Sequence, residues 1–282
     1  MMRPSLTLVI IIMLAGPIYG QTAAYWAEKA GDKVKNNDYA GAIADYNSAL
    51  QLYPKDIILY LNRGIVKYDL GHFEDAIVDF DKAISLDSKS TVAYGMRGEA
   101  KRTLGRFSEA LTDFDMAIEI NPRYALAYCG RGNIALKFAR YDDAIKDYNR
   151  TILLDPKNIQ ALNNRGYTEI QMGRNASALT DCDQVILLDP QYASAYGTRG
   201  EAETNLGYYT KAISDFDQAI IFNPQNAEAY NYRGYAFYKL GKTKANYKKA
   251  VEDFDRAIQL SEKDYKPLKE YRKEAVTELN KL

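Results

Sequence analysis

Apolar residues recur at helical intervals along most of the chain. In residues 91–124, small or apolar residues fall in two runs, one with Ala93, Tyr94, Gly98, Ala100 and Leu104, the next with Ala110, Leu111, Phe114, Ala117, Ile118 and Ile120. Spacings of three and four residues place each run on one face of a helix. Gly105 separates the runs and Pro122 follows the second, so the pattern predicts two helices of about 12 to 14 residues joined by a tight turn.

This helical hairpin repeats every 34 residues. Arg-Gly pairs occur at 63/64, 97/98, 131/132, 165/166, 199/200 and 233/234, and prolines keep the same interval at 122, 156, 190 and 224. Two independent markers in one register indicate an array of supersecondary units, because a single hairpin cannot bury its apolar face alone.

The repeated residues resemble a known family. The set Tyr94, Arg97, Gly98, Gly105, Phe107, Ala110, Phe114, Ala117 and Pro122 is similar to the signature of the tetratricopeptide repeat. The resemblance implies an all-α fold, an α-solenoid in which stacked helix-turn-helix repeats form a right-handed superhelix. It predicts seven repeats, which are 23–56, 57–90, 91–124, 125–158, 159–192, 193–226 and 227–264.

The two ends of the chain differ from the repeats. Residues 1–20 have a basic start, an apolar run of about ten residues and a small residue at Gly20, which predicts a secretory signal peptide and an exported, periplasmic or secreted protein. An uncleaved membrane anchor is the alternative, although the run is short for a bilayer. The pattern of residues 265–282 predicts a helix with one apolar and one charged face, which we interpret as a cap over the last repeat. The alternative interpretation is a helix that lies on a membrane surface.

Composition and the rarer residues mainly argue against several classes of function. The 37 basic and 37 acidic residues balance, so nothing indicates the basic field of a nucleic-acid-binding protein. The single His72 falls in a predicted turn away from Cys129 and Cys182, and no phosphate-binding glycine loop is present, so the sequence predicts no catalytic residue, no cofactor and no metal site. Export would permit a disulfide, but the repeat register favours two buried thiols.

Arginine and aspartate recur in a pattern that suggests structural ion pairs. Asp113 lies three residues after Ala110 and four before Ala117, and these small neighbours leave room for a long side chain from the preceding helix. We therefore predict partly buried pairs of Arg97 with Asp113, Arg131 with Asp147 and Arg199 with Asp215. Asp-x-Asp could instead suggest a metal site, but helical residues two apart point about 200° away from each other.

A partner is expected to bind along the concave wall that the first helices of such repeats form. The resemblance assigns the recognition side chains by repeat position, as Leu61, Ile65, Tyr68, Glu99, Arg102, Asn133, Leu136, Asn163, Tyr167, Ile170, Glu201, Asn231, Tyr235 and Tyr238. These positions vary while the scaffold positions recur. The sequence thus predicts a non-enzymatic scaffold that binds a protein or peptide partner and acts as an envelope assembly adaptor. The alternative function is a groove that carries a small apolar or glycan ligand. The alternative role of the listed side chains is packing between first helices or contact with solvent.

Overall fold

A computed structural model describes residues 23–261 and 266–282 of the protein. These residues form helices joined by turns, without a strand among them, so the all-α prediction is confirmed. The predicted signal peptide lies outside the described residues. The described residues divide into two compact units, those up to residue 134 and those from residue 135, and the boundary falls inside the seventh helix.

Unit 1 consists of helix pairs that stack in chain order. Its helices are α1 (Ala23–Lys35), α2 (Tyr39–Leu52), α3 (Ile57–Asp69), α4 (Phe73–Leu86), α5 (Thr91–Thr103), α6 (Phe107–Ile120) and the greater part of α7 (Ala125–Lys137). Each second helix packs against the first helix of its own pair and against the first helix of the next pair, as α4 does with α3 and α5. This is the local geometry of a solenoid.

Unit 2 repeats the arrangement and ends on an additional helix. Its helices are α8 (Tyr141–Leu154), α9 (Ile159–Gln171), α10 (Asn175–Leu188), α11 (Ala193–Asn205), α12 (Tyr209–Phe222), α13 (Ala227–Leu240), α14 (Lys244–Leu260) and α15 (Lys266–Lys281). The longer spacing from Gly241 to Ala250 is taken up mainly by α14, which begins six residues before Ala250, whereas α6 begins three before Ala110.

Glycine allows the chain to reverse between paired helices. Gly105 has a φ of 78°, a left-handed conformation that costs glycine little. Ala139 occupies the equivalent position in a later pair and adopts a φ of 54°, so its Cβ is strained there. At the other end of the pair, α6 ends at Ile120, immediately before Asn121 and Pro122, because proline donates no amide hydrogen.

The α15 helix covers the last repeat. Leu268 and Ala275 of α15 are buried in a cluster with Phe237 and Phe254, and the Tyr271 ring stacks on that of Phe254 with centroids 6.4 Å apart. This packing removes the apolar side chains of α15 and of the last helix pair from solvent.

In most repeats a buried aromatic ring packs between the paired helices, and glycine on the first helix makes room for it. Phe114 is fully buried, and a Cβ built on Gly98 would lie 2.8 Å from its ring. In the fifth repeat Cys182 takes the aromatic position, and a Cβ on Gly166 would meet its Sγ at 3.5 Å, an ordinary contact distance.

We therefore expect opposite outcomes from the same substitution in two repeats. Gly98→Ala should cost about 1 to 3 kcal/mol, because the buried ring of Phe114 cannot move aside. Gly166→Ala should be neutral or stabilise by up to about 1 kcal/mol, the helix propensity gained by replacing glycine. Urea denaturation of both variants measures the difference, and equal losses would contradict the packing described.

Candidate functional site

The repeated arginines are bound on one side of the first helices. Arg97 donates from Nε and Nη2 to both carboxylate oxygens of Asp113 in its own pair, at 2.9 and 2.5 Å, and from Nη1 to Asp81 of the preceding pair at 2.5 Å. Each arginine thus links two successive pairs. The same arrangement joins Arg63 to Asp79 and Asn47, Arg165 to Asp181 and Asn149, Arg199 to Asp215 and Asp183, and Arg233 to Asp253 and Asp217.

This series of contacts, which we call the arginine ladder, explains the Asp-x-Asp sequences. The two aspartates point in different directions along the helix and accept from arginines of different repeats, as Asp113 does from Arg97 and Asp115 from Arg131. In the last repeat, the second aspartate of the motif, Asp255, forms its ion pair with Arg272 of α15. The predicted pairing of Arg131 with Asp147 joins residues of different units and stays a prediction.

In four of the first helices, the residue four positions after the ladder arginine is charged and faces the same buried aspartate. In α3 and α5 this residue is a lysine, and Lys101 Nζ lies 2.9 Å from Asp113 Oδ2. In α9 and α11 it is a glutamate. Burial raises the pKa of Glu169, with Asp181 adding to the effect, and burial together with Asp215 raises the pKa of Glu203 to about 7.

Opposite the ladder, the first helices of unit 1 present a surface that is largely closed. We call it the unit 1 face; it comprises Leu61, Ile65, Tyr68, Gly95, Glu99, Arg102 and Asn133. Arg102 Nη2 donates to Glu99 Oε2 at 2.8 Å, so the two charges neutralise each other. The Tyr124 ring fills the space beside Gly95, where a Cβ would lie 2.4 Å from the ring.

The corresponding surface of unit 2 is more open and more acidic. This unit 2 face comprises Asn163, Tyr167, Ile170, Gly197, Glu201, Glu228, Asn231, Tyr235 and Tyr238 of α9, α11 and α13. Tyr167 is 39% exposed, and a Cβ built on Gly197 would meet no atom within 4 Å. The Tyr232 hydroxyl donates to Glu201 Oε1 at 3.2 Å and orients that carboxylate.

Charges on the unit 2 face act on one another. Burial raises the pKa of Glu201, Glu228 raises it further, and the hydrogen bond from Tyr232 opposes them. Burial also raises the pKa of Tyr167, to which Glu201 and Glu228 both contribute. These side chains of three different helices are therefore within electrostatic range of each other.

Several predicted contact residues prove to be core residues. Leu61, Ile65 and Ile170 are 3 to 7% exposed, and the first two pack in one cluster with Ala93 and Met96. Their first helices lie close enough to cover them, so they offer little surface to a partner. Glu99 and Asn163 are also buried, each in polar contact, whereas Tyr68, Arg102, Asn133, Leu136, Glu201, Asn231, Tyr235 and Tyr238 are half-buried.

Three polar residues on or beside the unit 2 face, Thr198, Glu228 and Tyr232, were not among the predicted contact residues. Thr198 Oγ1 lies 3.4 Å from Asn163 Oδ1, Tyr232 bonds Glu201, and Glu228 adds charge. Their repeat positions neighbour the predicted ones, so a helical wheel that includes one more column would have found them.

The described residues do not gather acids, histidines or cysteines as a metal site does, and His72 is an exposed residue at the start of α4. Cys129 and Cys182 are buried thiols. None of the described helices has the length and apolar character needed to cross a bilayer.

Comparisons with known families agree with this geometry. A family model described as "TPR repeat" matches residues 33–71, 98–137 and 200–241, and models described as "Tetratricopeptide repeat" match residues 57–90, 125–158 and 159–192. The chain belongs to the tetratricopeptide repeat family. Proteins of this family are generally non-enzymatic scaffolds that bind protein or peptide partners. A comparison with curated proteins gives no match.

Solved structures share the fold at low sequence identity. A tetratricopeptide repeat protein from Parabacteroides merdae is 21% identical with a TM-score of 0.62, and the alignment covers 91% of this chain and all of that one. PilW, a type IV pilus biogenesis factor, is 20% identical with a TM-score of 0.65, over 75% of this chain and 98% of PilW. YrrB, described as having an unusual peptide-binding site, is 23% identical with a TM-score of 0.52, over 65% and 95%.

Proposed function

We propose that this tetratricopeptide repeat protein is a non-enzymatic scaffold that binds an extended peptide segment of a partner protein on the first helices of unit 2. The observation that carries the proposal is the contrast between the two sides of those helices. On one side every arginine is bound twice by the ladder, and on the other the unit 2 face holds half-buried tyrosine, asparagine and glutamate around an open space at Gly197.

Such side chains suit reversible contact with an extended peptide. Tyrosine supplies a large apolar area and a polar tip at low entropic cost, as the exposed Tyr167 does here. The scaffold beneath them is held by packing and ion pairs, so binding does not have to pay for ordering the helices themselves.

Site-specific photo-crosslinking tests this proposal. A photoreactive phenylalanine at Tyr167 should crosslink to peptides selected from a random display library for binding to the protein. The same residue at Thr180, exposed on α10, should not. Efficient crosslinking from Thr180 with none from Tyr167 would place the binding surface elsewhere and contradict the proposal.

We further propose that the protein is exported and serves as an envelope assembly adaptor. The support is the basic and apolar pattern of residues 1–20. Expression of the full chain in a bacterial host should yield a mature protein whose N-terminal residue is Gln21, detected by intact mass. A chain that keeps Met1 and remains in the cytoplasm would contradict export.

A further inference from the structure

Around Glu201, the unit 2 face lacks the positive charge that the arginines of its helices could have supplied, and Lys239 lies over the ring of Tyr235. Arg165, Arg199 and Arg233 lie on its helices, but each is bound to two residues of the ladder on the other side. Residues two apart on a helix point about 200° from each other, so Arg165 and Arg199 point away from Tyr167 and Glu201 respectively. Among the charged side chains of the described residues, Glu228 raises the pKa of Glu201, and no lysine or arginine lowers it.

Hydrogen-bond acceptors remain available on this face. Glu201 and Glu228 carry carboxylates, and Asn231 Oδ1 is buried without a hydrogen-bond partner in the described part of the chain. A buried acceptor that lacks a donor costs free energy, so a donor supplied by a ligand would be favoured there.

Space for such a donor lies one turn from Glu201. Gly197 and Glu201 are four residues apart and therefore share one side of α11. The open volume over Gly197 is bordered by the acidic residue and is accessible, unlike the space over Gly95 of unit 1, which the Tyr124 ring fills.

Aromatic rings complete the surroundings. Tyr167 is exposed and lies within electrostatic range of both Glu201 and Glu228. A cation held near a tyrosine ring gains from cation–π attraction in addition to its attraction to carboxylates. Tyr232 holds Glu201 in place through its hydroxyl, which lowers the cost of ordering the carboxylate on binding.

We propose that the unit 2 face binds a basic peptide, with a lysine side chain entering the space over Gly197 and its ammonium meeting Glu201. This inference rests on the proposed peptide-binding function and specifies its ligand. A lysine fits because it offers three donors at the end of a flexible apolar stem, whereas an acidic peptide would face the carboxylates of Glu201 and Glu228, and no lysine or arginine of the described residues acts on Glu201. The unit 1 face is not selective in this way, because Arg102 already neutralises Glu99.

Fluorescence anisotropy with three labelled peptides of alternating sequence, Ala-Lys, Ala-Gln and Ala-Glu, tests the proposal on the full protein. The Ala-Lys peptide should bind at least about tenfold more tightly than the Ala-Gln peptide, and the Ala-Glu peptide should bind most weakly. Glu201→Gln should weaken binding of the Ala-Lys peptide by roughly tenfold, the loss expected for one charge-assisted hydrogen bond.

Two further variants make the result specific. Glu252→Gln removes the same charge from an exposed position on α14 and should leave the affinity unchanged. Gly197→Leu fills the open space with a strong helix former and should abolish binding while the protein stays folded by circular dichroism.

The outcomes separate the two proposals. If the Ala-Gln or Ala-Glu peptide binds as well as the Ala-Lys peptide and Gly197→Leu abolishes that binding, the lysine preference is wrong and the peptide-binding face stands. If Glu252→Gln weakens binding as much as Glu201→Gln, the attraction is non-specific and the lysine site is again wrong. If Gly197→Leu changes the binding of none of the peptides, both proposals fail.

Discussion

Arg199→Met is expected to destabilise the protein by on the order of 3 to 5 kcal/mol, the cost of stranding a buried charge. Arg199 donates twice to Asp215, which is 6% exposed, and once to Asp183. Glu203 also faces Asp215, so removal of the guanidinium leaves three acids together, with Lys211 as the remaining cation that acts on Glu203.

The equivalent substitution in unit 1 should cost much less. Arg97→Met also removes two hydrogen bonds from Asp113, but Lys101 Nζ remains 2.9 Å from that carboxylate and keeps it paired. The main charge differences around the two arginines are Lys101 against Glu203 and, beside them, Glu109 against Lys211. Their comparison therefore measures the effect of exchanging lysine and glutamate in this cluster.

Hydrogen exchange measures the loss of stability helix by helix, because repeat units can open separately. Amides of α11 and α12 should lose protection in Arg199→Met, and those of α5 and α6 should lose less in Arg97→Met. The double variant Arg199→Met/Asp215→Asn should recover part of the lost amide protection, because the unpaired charge of Asp215 is no longer present. Equal losses in the two arginine variants would show that the neighbouring residue is unimportant.

The ladder shows how far the sequence predicts the scaffold. The spacing of Arg97 and Asp113 in one repeat predicts that they meet, and their atoms are in hydrogen-bond contact. The second contact, from Arg97 to Asp81, was not predicted because it crosses to the preceding repeat. Its signal was present, since the second residue of each Asp-x-Asp or Asp-x-Asn motif, Asn47, Asp81, Asp115, Asn149, Asp183, Asp217 and Asp255, is an acceptor in every repeat.

The candidate binding face is less predictable from the sequence. Helical periodicity assigns Tyr167, Glu201 and Asn231 to one side of their helices. It does not distinguish Gly95 from Gly197, which occupy the same repeat position. Gly95 is covered because the Tyr124 side chain turns over it, and Gly197 has no such neighbour. The residue at the repeat position of Tyr124 is Asn226 beside Gly197, so the difference depends on the first residues of the following repeat, which the comparison of equivalent glycines leaves out.

The same limitation applies to burial within the predicted face. Leu61 and Tyr167 both belong to it by repeat position, yet one is 3% and the other 39% exposed. Apolar side chains on this side are drawn between neighbouring first helices, because burial there removes apolar area from water. Tyrosine keeps its hydroxyl near solvent, which leaves it available to a partner.

Glu203→Gln is expected to remove a large part of the pH dependence of stability. Burial and Asp215 raise the pKa of Glu203 from 4.5 to about 7, so the folded protein retains this proton at pH values where the unfolded chain has lost it. The stability of the wild-type protein should therefore fall as the pH rises from about 4.5 to about 7 and stay level above that. The loss at pH 8 is on the order of 3 kcal/mol, and Glu203→Gln should recover most of it.

Substitution with lysine should stabilise the protein further at neutral pH. The described charged groups that act on Glu203 are Asp215, Arg199, Lys211 and Asp183. Among these, Asp215 repels the Glu203 carboxylate most strongly. Glu203→Lys would create the contact that Lys101 makes with Asp113 and would convert a repulsion into an ion pair.

Denaturation curves at pH 5 and pH 8 measure both effects. The wild-type protein should lose stability between the two values, Glu203→Gln should lose little, and Glu203→Lys should exceed both at pH 8. Glu119→Gln, which removes an exposed carboxylate from α6, serves as the control and should follow the wild type. If Glu203→Gln loses as much stability between pH 5 and pH 8 as the wild type does, Glu203 does not hold the proton. The contact between Glu203 and Asp215 then does not destabilise the protein at neutral pH.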